Sequence, residues 1–210
     1  MALAKNAEEY IERQRSALAM NPDCGTTRYN LAVALLGQKK YDEAEREFKE
    51  AVANSPSLAE AYVQLGGICL QRGDLDGCLA YNEYAVNARA GFSIGYGNIA
   101  FVHLQKGEPD KAIVALNKAI AFNEKFIQAY SSLSSAYFMN GELDKSIESA
   151  KKAISLEPNF AIAYHNLSLA LFEKGEHEKA IENCDKAIAL GYDVPSGYLQ
   201  ELASYRSSDK

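Results

Sequence analysis

Hydrogen-bonding side chains recur in this sequence at a fixed interval of 34 residues: Asn30, Gln64, Asn98, Ser132 and Asn166, with Gln200 continuing the series. A carboxamide carries both a donor and an acceptor. A row of them can therefore satisfy the N–H and C=O groups of an extended peptide without reading its side chains. Residues suited to a reaction are not assembled in the same way. His103, His165 and His177 have no Ser/Asp or Cys partner at a matching position, and no carboxylate pair lies in an apolar setting, so no enzyme is expected. Cys24, Cys69, Cys78 and Cys184 form no CxxC and have no His at ligand spacing. They are expected to be small buried residues, and neither a metal nor a cofactor is expected. Gly91, Gly95 and Gly97 superficially suggest a phosphate loop, but such a loop needs a strand before it in a βαβ unit. The expected reading is a weak helix and a flexible joint, since each interior Gly costs about 0.5–1 kcal/mol relative to Ala. Asp74-Leu75-Asp76-Gly77 lacks the remaining ligands of a calcium loop and reads as a helix start.

The elements that carry the recurring residues are themselves repeated. Five stretches beginning at Asn30, Gln64, Asn98, Ser132 and Asn166 align without a gap, from NLAVALLGQKKYDEAEREFKEAV to NLSLALFEKGEHEKAIENCDKAI. Each has apolar residues at helical spacing, a break such as Arg72-Gly73-Asp74 or Lys106-Gly107-Glu108, and a second amphipathic stretch. Gly at the break supplies a left-handed residue, and the acidic residue after it suits the start of the next helix. The second helices are predicted over residues 41–54, 75–87, 109–122, 143–156 and 177–190. Pro109 fits a first helical turn, where its missing N–H costs nothing.

The 22 basic residues are scattered among 28 acidic ones, for a net charge of -6, which argues against a nucleic-acid partner. No apolar run approaches the roughly 20 residues of a membrane span. The charged start, without the apolar core of a signal peptide, points to the cytoplasm.

With these units the sequence resembles the tetratricopeptide repeat family, over about residues 25–194. The fourth place of each unit holds Arg28, Tyr62, Tyr96, Tyr130 and Tyr164, and the seventh Leu31, Leu65, Ile99, Leu133 and Leu167. Small residues fill the eighth (Ala32, Gly66, Ala100, Ser134, Ser168), the twentieth (Ala44, Cys78, Ala112, Ser146, Ala180) and the twenty-seventh (Ala51, Ala85, Ala119, Ala153, Ala187). Departures are Arg28 for an aromatic, Lys39 for Gly, and Ala90, Glu124 and Tyr192 for Pro. The resemblance implies an all-α, right-handed solenoid, a superhelix of antiparallel helix pairs with about 12 helices in one continuous domain. Its expected parts are an N-terminal half repeat (1–24), repeats 25–58, 59–92, 93–126, 127–160 and 161–194, and a capping helix with tail (195–210). Small residues would let paired helices approach while Tyr and Leu fill between neighbours. The tail Ser207–Lys210 is expected to fray.

In proteins of this family the first helix of each repeat lines a concave groove. That resemblance places Asn30, Gln64, Asn98, Ser132, Asn166 and Gln200 there, as in the Asn ladder of superhelical members, with Val33, Phe101, Phe138, His165 and Phe172 around them. The implied partner is a protein or peptide, extended or helical, with apolar anchors. Capture of acidic chaperone C-terminal tails is not expected: Tyr29, Val33, Gln64, Ile94 and Asn98 stand where that mode uses Lys, Arg and Asn. Two alternatives are a self-assembling homo-oligomer and the substrate-recruiting domain of a longer protein.

Overall fold

The structure is a computed structural model and describes residues 6–206; residues 1–5 and the tail expected to fray lie outside the described residues. Among the described residues there are twelve helices and no strand. They are α1 (Ala7–Met20), α2 (Gly25–Gly37), α3 (Tyr41–Asn54), α4 (Ala59–Gln71), α5 (Leu75–Ala88), α6 (Ser93–Gln105), α7 (Pro109–Phe122), α8 (Ile127–Met139), α9 (Leu143–Leu156), α10 (Ala161–Glu173), α11 (His177–Ala189) and α12 (Ser196–Arg206). The second helix of each pair follows the span predicted from sequence to within one residue.

The pairs form because the break between their helices is built the same way each time. At the first break the N–H of Lys40 reaches back to the carbonyl of Leu35 at 3.0 Å and that of Lys39 to Leu36 at 2.9 Å. The same two bonds recur at Asp74 and Gly73, Glu108 and Gly107, Glu142 and Gly141, and Glu176 and Gly175. This double closure needs a left-handed residue just past the helix. Gly fills that place at φ 77°, 71°, 73° and 83° for Gly73, Gly107, Gly141 and Gly175, whereas the first break uses Lys39 at φ 58°. A side chain there costs about 1–2 kcal/mol, part of which glycine's extra freedom in the unfolded chain returns. Lys39→Gly is therefore expected to stabilise the protein by about 1 kcal/mol, read as a higher urea midpoint. A lower midpoint would show that the Lys39 side chain contributes more than its backbone strain removes.

The chain divides into two compact units, the first ending at Ile99 and the second beginning at Ala100. In the first unit α1 packs on α2, α2 pairs with α3, α3 packs on α4, and α4 pairs with α5. Its core is Ile11, Leu31, Leu35, Phe48, Leu65 and Ile68, with Ala59, Ala85 and Phe92 as a second cluster. In the second unit α7 packs on α8, the pairs α8–α9 and α10–α11 stack through α9 and α10, and α12 lies on α11. Its core includes Ile147, Leu167, Leu171, Cys184, Val194 and Leu202. Fourteen of the fifteen small-residue positions bear buried Ala, Ser or Gly, and the fifteenth bears the buried Cys78. Where the small residue is Ser, its hydroxyl is paired. Ser146 donates to the Ser134 carbonyl at 2.8 Å and Ser168 to the Ala180 carbonyl at 2.6 Å, so no polar group is stranded at the closest approach.

Neighbouring pairs are also clasped at their loop edges, by side chains 27 to 30 residues apart in sequence. Arg72 bonds Asp42 at 2.9 Å and Glu45 at 2.6 Å. In the second unit Asn140 bonds Asp110 at 2.7 Å and Lys174 bonds Asp144 at 2.6 Å. These are exposed contacts, each contributing about 1 kcal/mol or less.

Candidate functional site

The first helices carry almost no charge. α2 contains Arg28, α4 contains Glu60 and α10 contains Glu173, while α6 and α8 contain no Asp, Glu, Lys or Arg. Arg28 is taken up by Glu47 at 2.9 Å and the Pro22 carbonyl at 3.1 Å. Glu60 pairs with Arg89, whose guanidinium holds the carboxyl below the usual carboxylate range. Beside exposed Thr26, Gln71, Gln105, Gln128 and Glu173, these helices leave several large apolar side chains open. In the first unit Val33, Leu70 and Ile94 are exposed, and in the second Phe101, Met139 and Ile162.

The hydrogen-bonding series falls into two groups. In the first unit Asn30 and Gln64 are half-buried and carry no hydrogen bond to another described side chain. Asn98 is different: its amide donates to Asn82 Oδ1 at 2.9 Å. Asn82 is 1% exposed and its own amide donates to the Cys78 carbonyl at 2.8 Å. Asn82 fits because the residue facing it is Gly66; a Cβ there would come within 2.6 Å of the Asn82 amide nitrogen. A buried polar side chain in the register place of Phe48 and Leu116 is thus fully engaged, and it recruits Asn98 inward. That substitution, Asn where the other units hold Phe48, Leu116, Ala150 and Cys184, is the signal in the sequence that could have revealed the link.

In the second unit Ser132 is half-buried and Gln200 is exposed, again without a hydrogen-bond partner among the described residues. Asn166 is buried, its amide shared among the Ser131 carbonyl at 3.0 Å, Ser131 Oγ at 3.2 Å and Ser135 Oγ at 3.0 Å. Asn98 and Asn166 therefore fasten each helix to a preceding one.

Two residues expected to face a partner are placed elsewhere. His165 is buried, stacked on Tyr192 with ring centroids 4.6 Å apart and edge-on to Tyr198 at 5.9 Å. Phe172 is half-buried and meets His177, Tyr198 and Tyr205 edge-on at 5.0, 5.6 and 5.6 Å. The cause is α12 and the segment leading to it, whose tyrosines cover both side chains. Phe138 is half-buried against the second unit's core. Val33 at 42% and Phe101 at 41% exposure remain open to solvent.

Sequence models of the tetratricopeptide repeat match residues 11–59, 29–94, 95–126 and 161–190, and a TPR repeat model matches residues 135–175. The chain belongs to the tetratricopeptide repeat family. No curated protein matches it significantly in sequence. Among solved structures, this tetratricopeptide-repeat chain is similar to the crystal structure of MamA, with 28% identity over 76% of this chain and 94% of that one, at a TM-score of 0.68. A MamA fragment from Desulfovibrio magneticus RS-1 matches at 22% identity over 90% and 98% of the two chains, with a TM-score of 0.70. YrrB, described as a TPR protein with an unusual peptide-binding site, matches at 22% identity over 93% and 98%, with a TM-score of 0.72. The last two likenesses establish the fold.

Proposed function

We propose that this chain, a protein–protein interaction scaffold by its family, binds an uncharged apolar segment of a partner protein along α2 and α4 of its first unit. The observation that carries the reading is the pattern on α2 and α4. Val33 and Leu70 are exposed, Asn30 and Gln64 have uncommitted carboxamides, and the one carboxylate, Glu60, is already paired. Apolar contact would supply affinity, and the two carboxamides would bond the partner backbone. A peptide-binding site in YrrB, a structural neighbour, is in keeping with this use of the fold. Self-assembly through the end helices has less support. The outward residues of α1 include Glu8, Glu9 and Glu12, and those of α12 include Gln200, Glu201 and Ser204, all exposed.

The test uses Gly67, which is exposed on α4 and where an added Cβ would meet nothing within 4 Å. Gly67→Leu is therefore compatible with the fold and improves helix propensity, yet it fills space between Val63 and Leu70. A displayed peptide library should yield apolar, uncharged binders whose affinity is insensitive to salt. Binding should fall at least tenfold in Gly67→Leu and in Asn30→Ala/Gln64→Ala, with helicity unchanged. Selection of charged peptides, or equal binding by Gly67→Leu, would overturn the reading. Asn98 and Asn166 are unsuitable for this purpose, because removing them breaks bonds inside the protein.

A further inference from the structure

The end of the second unit holds two imidazoles beneath one short helix. His165 on α10 is 6% exposed, and its Nδ1 is buried without a hydrogen-bond partner among the described residues. His177 on α11 stacks on Tyr205 with ring centroids 3.7 Å apart, and its Nδ1 is buried and unpartnered in the same sense. The rings that cover them, Tyr192, Tyr198 and Tyr205, all belong to α12 or the segment before it. Beyond those rings, α12 is held by buried Leu202, by the Tyr198 hydroxyl 2.7 Å from Ser168 Oγ, and by Arg206 on Asp185 at 2.9 Å.

We propose that α12 is an acid-releasable cap, in which protonation of His165 drives its ring out from beneath Tyr192 and Tyr198 and frees α12 from the α10–α11 pair. The neutral ring strands one lone pair, a modest cost. The protonated ring would bury a charge and an N–H donor with no acceptor, which costs far more. Release would uncover the apolar surface of Leu171, Phe172 and Cys184, which lie in the same cluster as Tyr198 and Leu202.

Nothing charged from the surrounding helices offsets this cost. Tyr192 and Tyr198 are the titratable groups whose rings touch His165. Glu201 on α12 and Glu173 on α10 bear on Tyr198, which burial pushes up to about 12. On α11, Asp185 is engaged with Arg206. Burial alone holds the His165 imidazole below its ordinary range, with no carboxylate of α8, α9, α11 or α12 acting on it. A tyrosine face attracts a cation but offers the buried Nδ1 no hydrogen-bond acceptor. Because the folded state binds this proton less readily than the unfolded chain, the stabilisation is complete above about pH 6.5 and is lost as pH falls through the lower folded-state value.

Amide hydrogen exchange of the full chain tests the switch at about pH 7.5 and about pH 5, the latter still above the ordinary carboxylate range. After correction for intrinsic rates, α12 amides of the native protein should lose protection several-fold in acid, while α2 and α3 amides do not. His165→Phe, or His165→Gln if the phenylalanine variant folds poorly, should remove that loss. Unchanged α12 protection in the native protein would overturn the proposal, as would an equal loss in both His165 variants. Removal of the effect by His177→Phe alone would overturn the assignment to His165.

Discussion

Replacing Phe48 with Ala is expected to lower stability by about 3–5 kcal/mol, the range for emptying a large aromatic from a packed core. Phe48 is fully buried on α3, among Leu31, Leu35, Ala44 and Leu65, with the Tyr29 ring tilted against it at 5.7 Å between centroids. Its environment cannot collapse into the space, because Ala32, Ala44 and Ala51 already hold α2 and α3 at close approach and are fully buried themselves. In a repeat protein each unit draws its stability from itself and its immediate neighbours. The loss should therefore appear as faster amide exchange throughout α2–α4 and as a lower urea midpoint. A cost below about 1 kcal/mol would mean that the core around Phe48 repacks freely, contrary to the density expected of protein interiors.

Leu202→Ala is the second large effect, about 2–5 kcal/mol, and it should be felt in a different way. Leu202 is fully buried, yet α12 has only 11 residues and packs on one side, so its attachment is slight. Isolated helices of that length are marginal in water. With the Leu202 side chain gone, the Tyr198–Ser168 bond, the rings of Tyr198 and Tyr205 against His165, Phe172 and His177, and the Arg206–Asp185 pair remain, and the last is largely exposed and contributes little. The expected result is local: α12 amides exchange near their intrinsic rates, while the amides of α2–α5 keep native protection. If the whole protein loses stability in one step instead, α12 is an integral part of the second unit's core.

The two effects differ because local patterning and long-range packing contribute differently to this protein. The repeat interval, the helix starts at Gly25, Ala59, Ile127 and Ala161, and the left-handed turn at Gly73, Gly107, Gly141 and Gly175 are all readable from the sequence. Helical spacing, a breaker and a cap are properties of neighbouring residues, and such local preferences agree with the fold throughout. The burial of Ala, Ser and Gly at the eighth, twentieth and twenty-seventh places is equally legible. Only small side chains permit that helix approach, and the interval of 34 repeats them.

The roles of individual polar residues were decided by tertiary structure. Asn30 and Asn98 hold equivalent places in their units, yet Asn30 is uncommitted while Asn98 donates to Asn82. The difference lies 16 residues away, in an Asn that replaces a core hydrophobe and fits only against Gly66. Asn166 turns inward because Ser131 and Ser135, about one repeat earlier, present oxygens within 3.2 Å. His165 lies buried because Tyr192 and Tyr198, from the segment that follows the last pair, close over it. Local patterning along the chain sets which side of each helix meets its partner helix. Which polar groups remain free for another molecule depended on hydrogen-bond partners brought in from distant positions, and only the folded chain places them.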